Sequence, residues 1–154
     1  MTEEHLTAID LFCGAGGLSQ GLSDAGFEAL WGIDHEENTK PTYEANHGCE
    51  MTVGDIREEE PPDLGLDEGE LDLVAGGPPC PTFSLVGRSK INSIDGRDNQ
   101  SDDRHLLYED FLRFVDHYQP KAFLMENVEG MLSAENEEGR PVVETIKEQM
   151  RGER

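Results

Sequence analysis

Short apolar runs, each stopping at a glycine, proline or acid and separated by helical spacing, constrain this chain more than any other feature. Thr7–Phe12 (TAIDLF) has the length and composition of a buried strand and runs straight into Cys13-Gly14-Ala15-Gly16-Gly17. Leu18, Leu22 and Ala25 then recur at helical spacing, and Gly26 stops that helix. Phe27–Ile33 (FEALWGI) reads as the next strand, with Asp34 at its C-terminal end. A short helix is expected over Thr39–Asn46, with Pro41 near its start, and a weak strand at Met51–Val53 leads into Gly54-Asp55-Ile56. Leu71–Ala75 (LDLVA) is a strand that ends in Gly76-Gly77-Pro78-Pro79-Cys80. Leu107, Phe111, Phe114, Val115 and Tyr118 mark an amphipathic helix that must end before Pro120. Ala122–Met125 (AFLM) is a strand followed by Glu126-Asn127-Val128, and Val143, Ile146 and Met150 line one face of a last helix.

Strands alternating with helical connections predict an α/β fold built on a doubly wound, mostly parallel sheet. The chemically distinctive residues collect just after strand C-termini: Cys13–Gly17, Asp34, Asp55, Pro79–Cys80 and Glu126. In an open α/β sheet that edge binds ligands. Two segments break the alternation. Residues 55–72 hold nine acids and one base, a solvated loop or a short polar helix. Arg88–Arg104 is polar and without periodicity, a long loop of the kind that is usually functional or mobile.

Charge tests this reading. With 34 acids against 12 bases the formal net charge is −22, and only 35% of residues are hydrophobic, a balance also found in disordered chains. The clear periodicity argues for folding instead. Only four of the bases are lysine (Lys40, Lys90, Lys121, Lys147), and an acid-rich, lysine-poor surface suits molar salt, where the Debye length is about 3 Å and self-repulsion is screened. No apolar run approaches the roughly 18 residues of a membrane span, and the N-terminus lacks the basic and apolar regions of a secretory signal. Cys13, Cys49 and Cys80 are far apart with no C-x-x-C pair, which argues against a disulfide framework or a metal site and for a reducing cytoplasm.

Two motifs carry the chemistry. The Phe12–Gly17 turn can bring backbone close to a ligand, and the helix behind it favours an anionic group. A strict G-x-G-x-x-G fingerprint fails at Ser19, but Asp34 lies 20 residues after Gly14, where an acid binds ribose hydroxyls of nucleoside cofactors. In the segment Gly76–Ser84 (GGPPCPTFS), paired glycines and prolines mount one thiol rigidly. Glu126, ending what would be an adjacent parallel strand, would come close to it, making a nucleophile and general-acid pair.

DLFCGAGG, Asp34, GDI, GGPPC-P-T-F-S, the Arg104–Leu107 stretch and ENV occur in the order and spacing of the C5-cytosine DNA methyltransferases, and the chain resembles that family over nearly its whole length. The resemblance implies a Rossmann-like S-adenosylmethionine-dependent methyltransferase fold over residues 1–154, incomplete at its C-terminus. Phe12, Gly14, Gly16 and Gly17 would contact S-adenosylmethionine, and Asp34 would bind its ribose. Asp55 and Ile56 would hold the adenine, His35 would stack on it, and Pro79 and Leu107 would line the same pocket. Cys80 would attack C6 of a cytosine flipped out of DNA, and Glu126 would engage N3 and the exocyclic amine. Ser84, Arg88, Asn127 and Val128 would contact the substrate, and the Arg88–Arg104 loop would close over the flipped base. No metal is implied.

Departures from the family pattern qualify this. Pro81 stands where glutamine usually follows the nucleophile, and His35 where tryptophan is common. The strand with Gln-x-Arg-x-Arg, the target-recognition domain and a returning C-terminal segment do not occur before Arg154, so a separately encoded C-terminal half is the expected partner. A sheet without its later strands would leave an exposed edge and apolar face. Duplex binding relies on bases at phosphates, and only Arg88, Lys90, Arg97 and Arg104 cluster near the expected loop. Two alternatives fit the same residues: an inactive remnant that binds S-adenosylmethionine or nothing, and a tRNA cytosine-5 methyltransferase.

Overall fold

Five short strands, β1 (Leu6–Leu11), β2 (Phe27–Asp34), β3 (Glu50–Val53), β4 (Leu73–Gly76) and β5 (Ala122–Met125), form one sheet in the order β3-β2-β1-β4-β5. All four pairings are parallel. The computed structural model describes residues 5–79, 107–126 and 139–151. They fall into two compact units, residues 1–78 with 107–126 and residues 79–106 with 127–154; the sheet belongs to the first. The chain builds outward from β1 to β3 and then crosses to the other side of β1 for β4. The carboxyl ends of β1 and β4 therefore flank a topological switch point, where open α/β sheets bind ligands.

Among the described residues the α-helices are α1 (Gly17–Asp24), α2 (Lys40–His47), α3 (Leu107–Tyr118) and, in the second unit, α4 (Val142–Met150). The side chains of Leu18 and Leu22 from α1 pack on Ala8, Leu73 and Ala75. From α2, Tyr43 packs with Cys13 and Met51. On α3, all five residues at the expected helical spacing are buried. Its Phe114 stacks on Trp31 of β2 at 5.9 Å, and Phe111 meets Phe123 of β5 edge-on at 6.2 Å. Phe111 and Phe114 are fully buried, each contributing about 1.5–3 kcal/mol of hydrophobic stabilisation.

The doubly wound parallel sheet is as expected, with adjustments at element ends. Phe12 leaves β1 with φ 62°, and Asp34 completes β2 by pairing with Val53. The β4 strand starts at Leu73, and just ahead of it the carbonyls of Leu71 and Asp72 accept from the Lys121 and Ala122 amides. The acidic 55–72 segment forms turns, not a helix. In α4, Ile146 is buried as expected, and Val142 is buried beside it while Val143 is only partly so. Phe123 and Leu124 remain 38% and 44% exposed on β5, an edge strand among the described residues.

Candidate active site

The turn after β1 is held at every step. The Cys13 amide donates to the Ile33 carbonyl at 3.0 Å, continuing the β1–β2 ladder. The Gly14 amide donates to Asp34 Oδ2 at 2.8 Å, and the Gly16 amide to the Cys13 carbonyl at 2.9 Å. Gly14 and Gly16 have φ of 52° and 93°, conformations that a side chain disfavours. At Gly16 a Cβ would lie 2.2 Å from His47 Nε2, so glycine is also required by the neighbouring helix. Gly14 and Gly17 have open space where a Cβ would stand, so their backbone is approachable.

Asp34 does more than end β2. Besides Gly14, its carboxylate accepts from the Glu36 amide at 2.9 Å, and His35 Nδ1 lies 3.3 Å from Oδ1. The carboxylate is thus mostly buried and oriented by three neighbours, while the His35 side chain is 70% exposed, an available flat ring. Next along the sheet edge, Asp55 chelates the Arg57 guanidinium, which holds its carboxyl down at about 2. Ile56 is buried. Their loop is clamped from α3: Arg113 donates to the carbonyls of Ile56 and Glu59 at 2.5 and 2.9 Å, and Tyr118 to that of Pro62 at 2.6 Å. Leu107, at the start of α3, is buried.

At the β4 end, a Cβ on Gly76 would be 2.3 Å from the Leu11 carbonyl oxygen, so only glycine permits this approach of β4 to β1. Gly76 pairs with Met125, and the Glu126 amide donates to the Gly76 carbonyl at 2.9 Å. Glu126 is therefore level with Gly77, three residues before Cys80. Pro79, exposed, is in the second unit. Cys80, Ser84, Arg88, Asn127 and Val128 lie outside the described residues, as do Pro81 and the Arg88–Arg104 loop.

The sequence reading missed the acid beneath this edge. Asp10 is 1% exposed, and burial pushes its carboxyl up to about 6, against the pull of two hydrogen bonds from Ser19; the charges of Asp34 and Glu126 push it further up. Asp10, Asp34 and Glu126 thus give the edge a negative field, suited to a cationic ligand. Acceptors at Asp34 and Asp55, an exposed ring at His35 and an approachable glycine turn fit a cationic nucleoside such as S-adenosylmethionine. An acid inside an otherwise apolar strand was the available signal for Asp10. Arg113 gave none, because a basic residue on an amphipathic helix reads as solvated. Among the described residues no group of three metal-ligating side chains converges, and no helix is long and apolar enough to cross a membrane.

A family model described as C-5 cytosine-specific DNA methylase matches residues 6–153. The chain is 43% identical over 133 residues to the type II methyltransferase M.AgeI of Thalassovita gelatinovora, covering 83% of this chain and 29% of that protein. It is 36% identical over 145 residues to the type II methyltransferase M.DdeI of Desulfomicrobium norvegicum, covering 94% and 33%. Among solved structures, a prophage-encoded DNA modification methyltransferase of E. coli superposes with a TM-score of 0.70 at 27% identity, over 96% of this chain and 38% of that one. The S. pombe Dnmt2 methyltransferase, with a TM-score of 0.60 at 22% identity over 92% and 39%, has the same fold. The chain spans about a third of the length of these relatives.

Proposed function

Because the chain belongs to the C-5 cytosine-specific DNA methylase family, we propose that it is the N-terminal, cofactor-binding and nucleophile-bearing part of a DNA (cytosine-5)-methyltransferase. In this reading residues 1–154 are the first part of the catalytic domain, and a C-terminal half supplies base recognition. The cofactor is S-adenosylmethionine, which supplies an electrophilic methyl group. Asp34 accepts from the ribose hydroxyls, Asp55 and Ile56 border the adenine, His35 stacks on it, and the Phe12–Gly17 turn follows the methionine part. Leu107 and Pro79 are assigned to the lining of the same pocket.

The Cys80 thiolate would add to C6 of the flipped cytosine, making C5 an enamine carbon that could take the cofactor's methyl group as its bond to the sulfonium sulfur breaks and a neutral thioether departs. Glu126 bonds N3 and the exocyclic amine, offsetting the charge that develops on the ring. Loss of the C5 proton and departure of the thiolate restore the aromatic ring. Ser84, Arg88, Asn127 and Val128 contact the substrate. The single observation that supports this most is the β4–β5 register, which sets Glu126 beside Gly77, three residues ahead of the only cysteine in the Gly-Pro-rich segment. The other two cysteines are unsuited to the role: burial pushes the thiols of Cys13 and Cys49 up, away from the thiolate. Their free state suits a reducing cytoplasm.

The test is co-expression with a C-terminal half carrying Gln-x-Arg-x-Arg, followed by transfer of labelled methyl to DNA. Transfer that Cys80→Ala abolishes is expected. Transfer that survives Cys80→Ala removes the assigned nucleophile, and transfer to tRNA alone replaces the substrate.

A further inference from the structure

We propose that Ser19 and Tyr43 are positioning residues for the cofactor-binding turn, acting through the buried carboxylate of Asp10. The proposal depends on the reading of the Phe12–Gly17 turn as the S-adenosylmethionine site. A carboxylate inside a sheet is costly unless its bonds are made, so its persistence needs a reason. Here it stands beneath the first turn of α1. Asp10 Oδ2 accepts from the Ser19 amide at 3.2 Å and from Ser19 Oγ at 2.6 Å. Ser19 lies in the first turn of α1, and no side chain of its own segment caps that end; the cap comes from β1.

The chain of bonds has a direction. Ser19 gives its one hydroxyl hydrogen to Asp10, so the Tyr43 hydroxyl, 3.1 Å from Ser19 Oγ, must be the donor there. Tyr43 is fully buried on α2 and reaches Ser19 only because β2 carries Gly32 beneath its ring, where a Cβ would be 2.7 Å from the ring carbon bearing the hydroxyl. Gly32 is the register partner of Asp10. One helical turn later, His47 meets the Tyr43 ring at 4.8 Å and sits against Gly16. The turn is therefore fixed at Gly14 by Asp34, at Gly16 by His47 and at Ser19 by Asp10 and Tyr43. Asp34, His47 and Tyr43 all come from the segment that begins with the ribose-binding acid, so the turn and that acid are held in one frame.

Among the described residues Asp10 Oδ1 has no hydrogen-bond partner although it is buried, so Ser19, backed by Tyr43, carries the hydrogen-bond load of the carboxylate. Among the described residues the other charged groups that act on Asp10 are Asp34 and Glu126, both acids, while the titratable Cys13, Cys49 and Tyr43 around it are pushed up by burial and stay neutral. A positively charged ligand at this edge favours the ionised carboxylate, so S-adenosylmethionine should bind more tightly as pH rises through the range where Asp10 ionises.

The experiment titrates S-adenosylmethionine into the chain in molar KCl from pH 5 to 8, by calorimetry, for wild type, Tyr43→Phe, Ser19→Ala and Ser19→Thr. Loss of one hydrogen bond in the relay should weaken binding about three- to tenfold in Tyr43→Phe and Ser19→Ala. The pH midpoint should move upward in Ser19→Ala, which removes a bond that favours the ionised acid, and Ser19→Thr should restore both affinity and midpoint. Tyr43→Phe keeps the ring that fills the space over Gly32, so it tests the hydroxyl even if Ser19→Ala unfolds. Wild-type affinity and midpoint in both variants overturn the proposal and leave the cofactor reading standing. A folded wild type that does not bind S-adenosylmethionine overturns the cofactor reading, and the proposal with it.

Discussion

Gly16→Ala should be among the most damaging single-methyl additions in this chain. Two costs add. At φ 93° and ψ 28° the residue is left-handed, which disfavours a side chain by about 1–2 kcal/mol. The new Cβ would also lie 2.2 Å from His47 Nε2, 2.7 Å from His47 Cδ2 and 3.1 Å from Tyr43 Cδ2. Tyr43 is fully buried, so the pair cannot swing aside together, and such overpacking costs about 1–3 kcal/mol. The total, about 2–5 kcal/mol, is a large share of the roughly 5–15 kcal/mol that holds a domain together. Urea unfolding in molar KCl measures it. Gly14→Ala is the control: its φ is 52°, but nothing lies within 4 Å of the added carbon, so only the backbone cost should appear. Adding His47→Ala to Gly16→Ala should recover the overlap, about 1–3 kcal/mol, and leave the backbone cost in place. A Gly16→Ala loss under about 0.5 kcal/mol, or no recovery from His47→Ala, would refute this packing of α2 on the turn.

Three further outcomes are expected. Arg113→Ala should cost about 1–3 kcal/mol in the same unfolding assay, because the Ile56 and Glu59 carbonyls lose a charged donor; Arg113→Lys should not restore it, since an ammonium lacks the guanidinium fork. Arg57→Gln should let the Asp55 carboxyl rise from about 2 toward 3.8, read by carbon NMR across an acid titration, and an unchanged midpoint would disprove the chelate. Asp10 works in the opposite sense. Its folded value, about 6, exceeds the ordinary 3.8, so the folded state holds the extra proton between these values and this group's contribution falls as pH rises through that window, by roughly 3 kcal/mol in all. The stability difference between wild type and Asp10→Asn should therefore change by that order between pH 4 and about 7, and a flat difference would contradict a buried, protonating Asp10.

The sheet was legible because strand-sized apolar runs alternate with helical spacing, and because α3 carries a full apolar stripe. The edge was legible for a related reason: glycines and acids gather just after the strand C-termini, the edge where an open α/β sheet binds ligands. What could not be read was the support behind that edge. Asp10's partner Ser19 stands 9 positions away and Ser19's partner Tyr43 a further 24, and no local pattern joins them. Arg113 likewise closes on a loop more than 50 residues earlier. Strand ends moved by one or two residues, because backbone pairing decides them and side-chain pattern does not. Asp34 shows both limits: its position at the end of β2 followed from sequence, but its bond to the Gly14 amide, which ties the turn to β2, did not.

The most direct measurement is an amide NMR titration of the chain with S-adenosylmethionine in molar KCl. Saturable shifts at Gly14, Gly16, Gly17, Asp34, His35 and Ile56 are the expected result. No saturable shift in a folded chain, or shifts that spare the Phe12–Gly17 turn and Asp34, would contradict the assignment of this sheet edge to the cofactor.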